Sequence, residues 1–353
     1  MDHLPQKIFT INELLAREVS SLNNIGLLNG KMGLSIYLFH FARKTGNEEP
    51  QKMAGKLIDE VYREISRKQP PLNFENGLAG IAWGVEYLVQ NEFVKADTDE
   101  ILSEVDDKIY SQIVSQKEKW KETGKIIGYL IYIISRLRGK NLSSEKDASV
   151  FIFQRLLEDL INQLSQSIEE EKLSVREPLM FNISWELPIA LLLLAAMKEM
   201  NVYIYKIDQI LNYLSPMVLS LFPHSPGNKL YLIYALEKVL QYSELPKWEE
   251  HADLMGNNLE LLDIIERDLN DKNIFFNTGF AGVSYISRQL YVITKDERIL
   301  FQKEKIIKKI IESEYWKVLE KDKAERKNLG LHKGLAGVAM ELLALSEKQI
   351  TEK

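Results

Sequence analysis

Asn29-Gly30-Lys31-Met32-Gly33-Leu34-Ser35-Ile36-Tyr37-Leu38 is a Gly-x-x-Gly followed by an apolar run, and the pattern returns three times. The further copies are Asn76-Gly77-Leu78-Ala79-Gly80-Ile81-Ala82, Thr278-Gly279-Phe280-Ala281-Gly282-Val283-Ser284 and Lys333-Gly334-Leu335-Ala336-Gly337-Val338-Ala339. Gly30 and Gly77 stand 47 positions apart, Gly279 and Gly334 55, which is the period of a repeat architecture. A second glycine three residues after the first shares its helix face, so two helices are expected to come close there. Gly80→Leu is therefore expected to disrupt folding where two such helices touch. A polar residue before the first glycine (Asn29, Asn76, Thr278) is placed to cap free amides at a helix start.

Between the glycine-started segments lie helices of another kind. Lys52 to Arg67 carries Met53, Leu57, Val61 and Ile65 at intervals of four with charges elsewhere, a half-exposed amphipathic helix. Ile81-Ala82-Trp83-Gly84-Val85, by contrast, is apolar on most faces. The alternation runs through the chain. Asp99 to Ser115, Ala148 to Ile168, Lys206 to Leu221, Glu249 to Leu269 and Glu297 to Ser313 read as outer helices. Ile126 to Ile133, the segments opened by Ser184-Trp185-Glu186 and Ser225-Pro226-Gly227, Gly279 to Ile293 and Gly334 to Leu345 read as inner ones. Near the N-terminus, Thr10 and Glu13 form a capping box with Phe9 and Leu14 as its hydrophobic staple, so a helix is expected to start there. The count is about seven outer and seven inner helices, with no strand signal. The last inner helix is as apolar as the middle ones. An open solenoid would need a polar cap there, so an all-α, closed α/α toroid is expected, one domain over residues 1–353.

Composition removes several functions. A net charge of -6 argues against binding a nucleic-acid backbone. With no cysteine there is no disulfide, thiolate nucleophile or cysteine-held metal. Met1-Asp2-His3-Leu4-Pro5 lacks a secretion signal, so a cytoplasmic protein is expected. Leu187 to Met197 is too short for a membrane span of about 20 residues.

The motifs at Asn76 to Ala82 and His332 to Ala339 resemble those of the lanthionine synthetase C-like (LanC-like) family. The similarity covers nearly the whole chain as a repeat pattern, with four clear copies and about three degenerate ones. The resemblance implies a toroid whose cyclases hold zinc between two cysteines and a histidine. There the zinc activates a peptide cysteine that adds to a dehydrated serine or threonine. This chain departs from that pattern. The family's Cys-His pair matches Asn277 and Thr278, and its other cysteine falls near Phe222. Its histidine before the fourth inner helix falls near Ser184, and its aspartate before the third near Trp120 or Lys121. Zinc chemistry does not carry over, and neither a metal nor another cofactor is expected.

Of the five histidines, His224 and His332 precede inner helices and are candidate acid–base groups that a closed ring would bring to one end, while His40 and His251 read as structural. Glu186, beside Trp185 at a helix start, is either a carboxylate favoured by the helix dipole or a cavity-facing acid. Aromatic residues on inner helices (Trp83, Tyr129, Tyr132, Tyr285) are core residues unless they line a peptide groove. The binding candidates are Trp185, Asn277, Tyr285 and Asn76. Gly30-Lys31-Met32-Gly33 lacks the ending and the preceding strand of a phosphate loop. Lys321 to Lys327 reads as a solvated loop.

Two functions follow. The first is a zinc-free, catalytically degenerate toroid of lanthipeptide-type maturation that binds a precursor peptide or a peptide-modifying enzyme. The second is a metal-independent enzyme on the same fold, a thioether cyclase or a glycosidase-like hydrolase.

Overall fold

A computed structural model describes residues 3–115, 122–142, 147–259, 261–269, 273–300, 303–321 and 328–350. Trp120, Lys121 and most of the 321–327 run lie outside the described residues. Among those described there is no strand, and fourteen main helices alternate between two roles.

The outer helices are α1 (His3–Glu18), α3 (Glu48–Arg67), α5 (Ser103–Ser115), α7 (Ala148–Glu169), α9 (Ile204–Ser220), α11 (Pro246–Asn257) and α13 (Lys303–Ile311). The inner helices are α2 (Lys31–Thr45), α4 (Leu78–Gln90), α6 (Thr123–Arg138), α8 (Glu186–Glu199), α10 (Pro226–Leu240), α12 (Phe280–Thr294) and α14 (Leu335–Ile350). Each inner helix packs on the next, and α14 packs on α2, so the inner layer is a closed circuit. Each outer helix packs on the inner helix before it in sequence. The exception is α1, which serves as outer partner of α14 and joins the two ends of the chain. Closure is the physical answer to seven apolar inner helices: an end left open would expose a face like that of α8, where Leu187, Leu191 and Leu194 are fully buried.

Five expectations need correction. Thr10 does not cap a helix: α1 begins at His3 and Thr10 lies inside it, its hydroxyl donating to the Gln6 carbonyl, so that Phe9 is half exposed and meets Phe41 edge-on. The outer segment from Glu249 to Leu269 is broken. α11 ends at Asn257, and a single π turn at Ile264–Asp268 follows. The outer helix from Glu297 likewise divides into Glu297–Leu300 and α13, and the one from Asp99 into Thr98–Ile101 and α5. The largest correction concerns the glycines.

The second glycine of each pair faces the backbone of its own lead-in loop, not a neighbouring helix. A Cβ on Gly33 would lie 2.0 Å from the Leu27 carbonyl oxygen, and on Gly80 1.8 Å from that of Phe74. On Gly282 it would lie 2.1 Å from Phe276 O, and on Gly337 1.8 Å from Leu331 O. In all four the carbonyl belongs to the residue six places earlier. The amide after the first glycine then donates to the carbonyl seven places earlier: Lys31 to Asn24, Leu78 to Pro71, Phe280 to Asn273 and Leu335 to Asn328, at 2.8 to 2.9 Å. A main-chain loop curled under the helix therefore supplies acceptors for amides that a helix start leaves free. No side chain caps α2, α4 or α12. The polar residues before the glycines instead tie loops together: Asn76 Oδ1 accepts from Asn24 Nδ2 at 2.7 Å, and Asn29 Oδ1 from the Lys333 amide at 3.0 Å.

Candidate functional site

Because the inner helices run parallel, their lead-in loops gather at one mouth of the ring, and backbone hydrogen bonds pass from loop to loop. The Leu28 amide donates to Glu75 O (3.0 Å), His332 to Leu28 O (2.8 Å), Asn277 to His332 O (3.0 Å) and Ile183 to Asn277 O (2.9 Å). The last bond joins the loop before α8 to the loop before α12, reaching past the start of α10. Residues 174–185 thus lie across the mouth.

What this segment covers is the start of α10. Glu177 accepts from the His224 amide (2.8 Å), the Ser225 amide (2.7 Å) and Asn228 Nδ2 (3.3 Å). Asp268 Oδ2 accepts from Ser225 Oγ and the Gly227 amide, both at 2.6 Å. Two carboxylates therefore close on the positive end of one helix dipole. Burial nonetheless raises the Asp268 carboxyl above its usual range, against the lowering effect of the Ser225 and Gly227 bonds. Phe181, fully buried, lies against the starts of both α10 and α12: a Cβ on Gly227 or on Gly282 would come within 2.9 Å of it.

The residues singled out from sequence fall in different settings. His224 is solvent-exposed beside Glu177 (3.6 Å), whereas His332 is set into the mouth with Nε2 3.2 Å from Ser184 Oγ, so the two histidines have separate partners. Glu186 accepts the Ser174 amide at 2.8 Å and so fastens the crossing segment to α8. Trp185 is buried in the core, its indole N–H without a partner among the described residues. Asn277 takes part through its main chain, and Asn76 through the Asn24 bond. His40 and His251 are structural as expected, bonded to the Tyr87 hydroxyl (2.7 Å) and the Leu221 carbonyl (3.0 Å). Phe222 is exposed and edge-on to His251 of α11.

Tyr285 belongs to a group of tyrosines inside the ring. It influences Tyr87 of α4 as well as Tyr231 and Tyr234 of α10, although α4 and α12 are not neighbours in the circuit. Burial pushes all four hydroxyls up, and that of Tyr129 to about 12. The ring interior is thus lined with aromatic side chains, of which Tyr87, Tyr234 and Tyr285 are partly exposed.

Glu177, Asp268, Asn228, Phe181 and Ser184 were not singled out as functional from sequence. Asn228 carried one local signal, an amide side chain in the first turn after Pro226, but its partners lie about fifty positions away.

Burial, helped by the Lys333 charge, lowers the His332 pKa from 6.5 to about 4. Its Nδ1 has no partner among the described residues, a cost of about 1–3 kcal/mol that stability alone does not explain. A folded pKa below the unfolded one means that stability is full above about pH 6.5 and is lost as pH falls toward 4. His332→Gln is expected to remove about 2 kcal/mol of that acid-side loss, read from urea midpoints of both proteins across pH 4 to 7.

A zinc site of the cyclase type does not fit these residues. Cysteine is absent from the chain, and no group of three histidine, aspartate or glutamate residues placed to hold a metal occurs among the described residues. Between the starts of α10 and α12, where the resemblance puts the metal, stands the Phe181 ring.

The closed circuit of paired helices with glycine-marked inner starts defines an α/α toroid. The family described as lanthionine synthetase C-like protein matches residues 240–352. Among solved structures the chain is similar to nisin cyclase, with a TM-score of 0.64 and 14% identity over 99% of this chain and 95% of that one. No curated protein sequence matches. The family match is confined to residues 240–352, the likeness to nisin cyclase is one of fold along the whole length, and the chain has no cysteine.

Proposed function

We propose that this single-domain toroid serves lanthipeptide-type peptide maturation by holding a precursor peptide, or the enzyme that modifies it, at the mouth of the ring, without zinc-dependent thiol chemistry. The observation that carries the reading is the crossing segment. Phe181 and the two carboxylates on α10 stand where a cyclase would need open metal coordination. The fold is retained around that change, with the loops of the mouth still locked to one another through their backbones. A scaffold that keeps a shaped, rigid mouth and lacks the metal's ligands is suited to binding. Among the described residues no helix is long and apolar enough to cross a membrane.

The second reading, a metal-independent enzyme, is favoured by one observation, the neutral His332 at the mouth. Its glycosidase form is not, since that chemistry needs two carboxylates about 5 to 10 Å apart with free oxygens. Glu177 and Asp268 hold theirs on the α10 start.

Titration of the full-length protein with a fluorescently labelled lanthipeptide precursor, before and after dehydration, tests the proposal. Saturable binding that is unchanged by a chelator, with no thioether ring seen by mass spectrometry, is the expected result. Binding or ring formation that requires added zinc would refute it.

A further inference from the structure

Ser184 and His332 are 148 positions apart in sequence and meet at the mouth. We propose that they form a nucleophile–base dyad for acyl transfer, directed at an ester or amide carbonyl presented over the mouth of the ring. This goes beyond peptide binding, and small acylating probes test it whether or not a precursor peptide binds.

Three features carry the inference. The first is reach: Ser184 Oγ lies 3.2 Å from His332 Nε2, close enough for a hydroxyl proton to pass to the ring, and Ser184 is exposed, so its oxygen is open to an incoming carbonyl. The second is rigidity. His332 is fixed at both its amide and its carbonyl by the loop-to-loop bonds, and Ser184 by its amide donating to Asn182 Oδ1 at 2.9 Å. Neither partner has to be ordered when a substrate arrives. The third is the neighbourhood of the hydroxyl. Ser184 stands two residues before α8, a helix of 14 residues with no side-chain cap. The Glu186 and Leu187 amides there have no hydrogen-bond partner among the described residues. Free amides at the positive end of a helix are donors for the oxyanion that forms when a carbonyl is attacked.

The step balances without any further reactant. With the ring proton on Nδ1, Nε2 takes the Ser184 proton as Oγ bonds to the carbonyl carbon, and the carbonyl π electrons move onto oxygen. Collapse of that intermediate breaks the bond to the leaving amine or alcohol, which takes the proton from Nε2 and leaves an acyl ester on Ser184. Water attacks the ester by the same route, giving the carboxylic acid and restoring the hydroxyl. Burial keeps His332 neutral at pH 7 and makes it a weak base, so the dyad is a slow one. No acidic partner supports Nδ1 among the described residues.

A slow nucleophile is best read with a probe that traps each event. The full-length protein is treated with a biotinylated fluorophosphonate and the adduct located by peptide mapping. A single adduct on Ser184 is expected, absent in Ser184→Ala and formed about a hundredfold more slowly in His332→Gln. No adduct, an adduct on another residue only, or an undiminished rate in His332→Gln would overturn the proposal. If His332→Gln melts early, intact mass of the wild type after p-nitrophenyl acetate decides instead: one acetyl group on Ser184 supports the dyad, and none refutes it. Failure here would leave the peptide-binding result untouched.

Discussion

Gly80→Ala is expected to lower stability by about 3 kcal/mol, with little native protein left at moderate urea concentrations. The added methyl would sit 1.8 Å from the Phe74 carbonyl oxygen, with Leu27 Cβ at 3.1 Å beyond it. Neither the carbonyl nor the loop that holds it can yield easily. That loop also supplies the Pro71 acceptor for the Leu78 amide, and Glu75 accepts from Leu28 of the adjoining loop. Relief of the clash therefore breaks bonds in two repeats. The same substitution at Gly55 of α3 meets nothing within 4 Å and is expected to raise stability by about 0.5–1 kcal/mol, as alanine does for glycine in a helix. Chemical denaturation of the two variants beside the wild type measures both. If Gly80→Ala melts with the wild type, the packing of loop under helix is wrong.

Arg136→Met is expected to cost about 3–5 kcal/mol, because it would strand buried carboxylates. The Arg136 side chain, on α6, is only 1% exposed and bonds Glu86 of α4 at 2.7 Å, Asp99 at 2.7 Å and Asp106 of α5 at 2.9 Å. Glu86 is itself buried, and Tyr132 donates to Asp106 from the same helix as the arginine. Burial is the largest influence on Asp106 and raises its carboxyl, so loss of the guanidinium would push it higher still. The double variant Arg136→Met, Glu86→Gln is expected to recover part of the loss, since one stranded charge is then gone. Equal destabilisation of single and double variants would show that the cluster matters for shape and not for charge balance.

Much of the architecture was legible because it rests on local pattern. The alternation of amphipathic and wholly apolar segments gave the helix roles, and an apolar last helix implied closure. The contact partner of the glycines was misread for a physical reason. Spacing shows that two small residues share a helix face, yet does not say what lies against that face. Here it is the carbonyl six residues back, reached only because the loop doubles under the helix. Thr10 was misread in the same manner. Its spacing from Glu13 fits a capping box, but the helix already runs from His3 because Leu4 and Ile8 are buried in the core.

At the mouth, composition alone disposed of thiolate-held zinc, as no packing can supply a cysteine the chain lacks. Sequence could name His332 and His224 as candidates at one end of a ring without telling them apart. Tertiary structure separated them: one imidazole stands in water beside Glu177, while the other is sunk among loops and kept neutral. It also brought Ser184 to His332 and Phe181 to the starts of α10 and α12. Those meetings depend on how far the segment before α8 reaches across the mouth, which is set by the Ile183–Asn277, Glu177–Ser225 and Glu186–Ser174 bonds. The helices and their order were written in the periodicity of the chain, since each needs only its own face of apolar residues. The chemistry of the mouth was not, since it arises between loops that become neighbours only once the ring has closed.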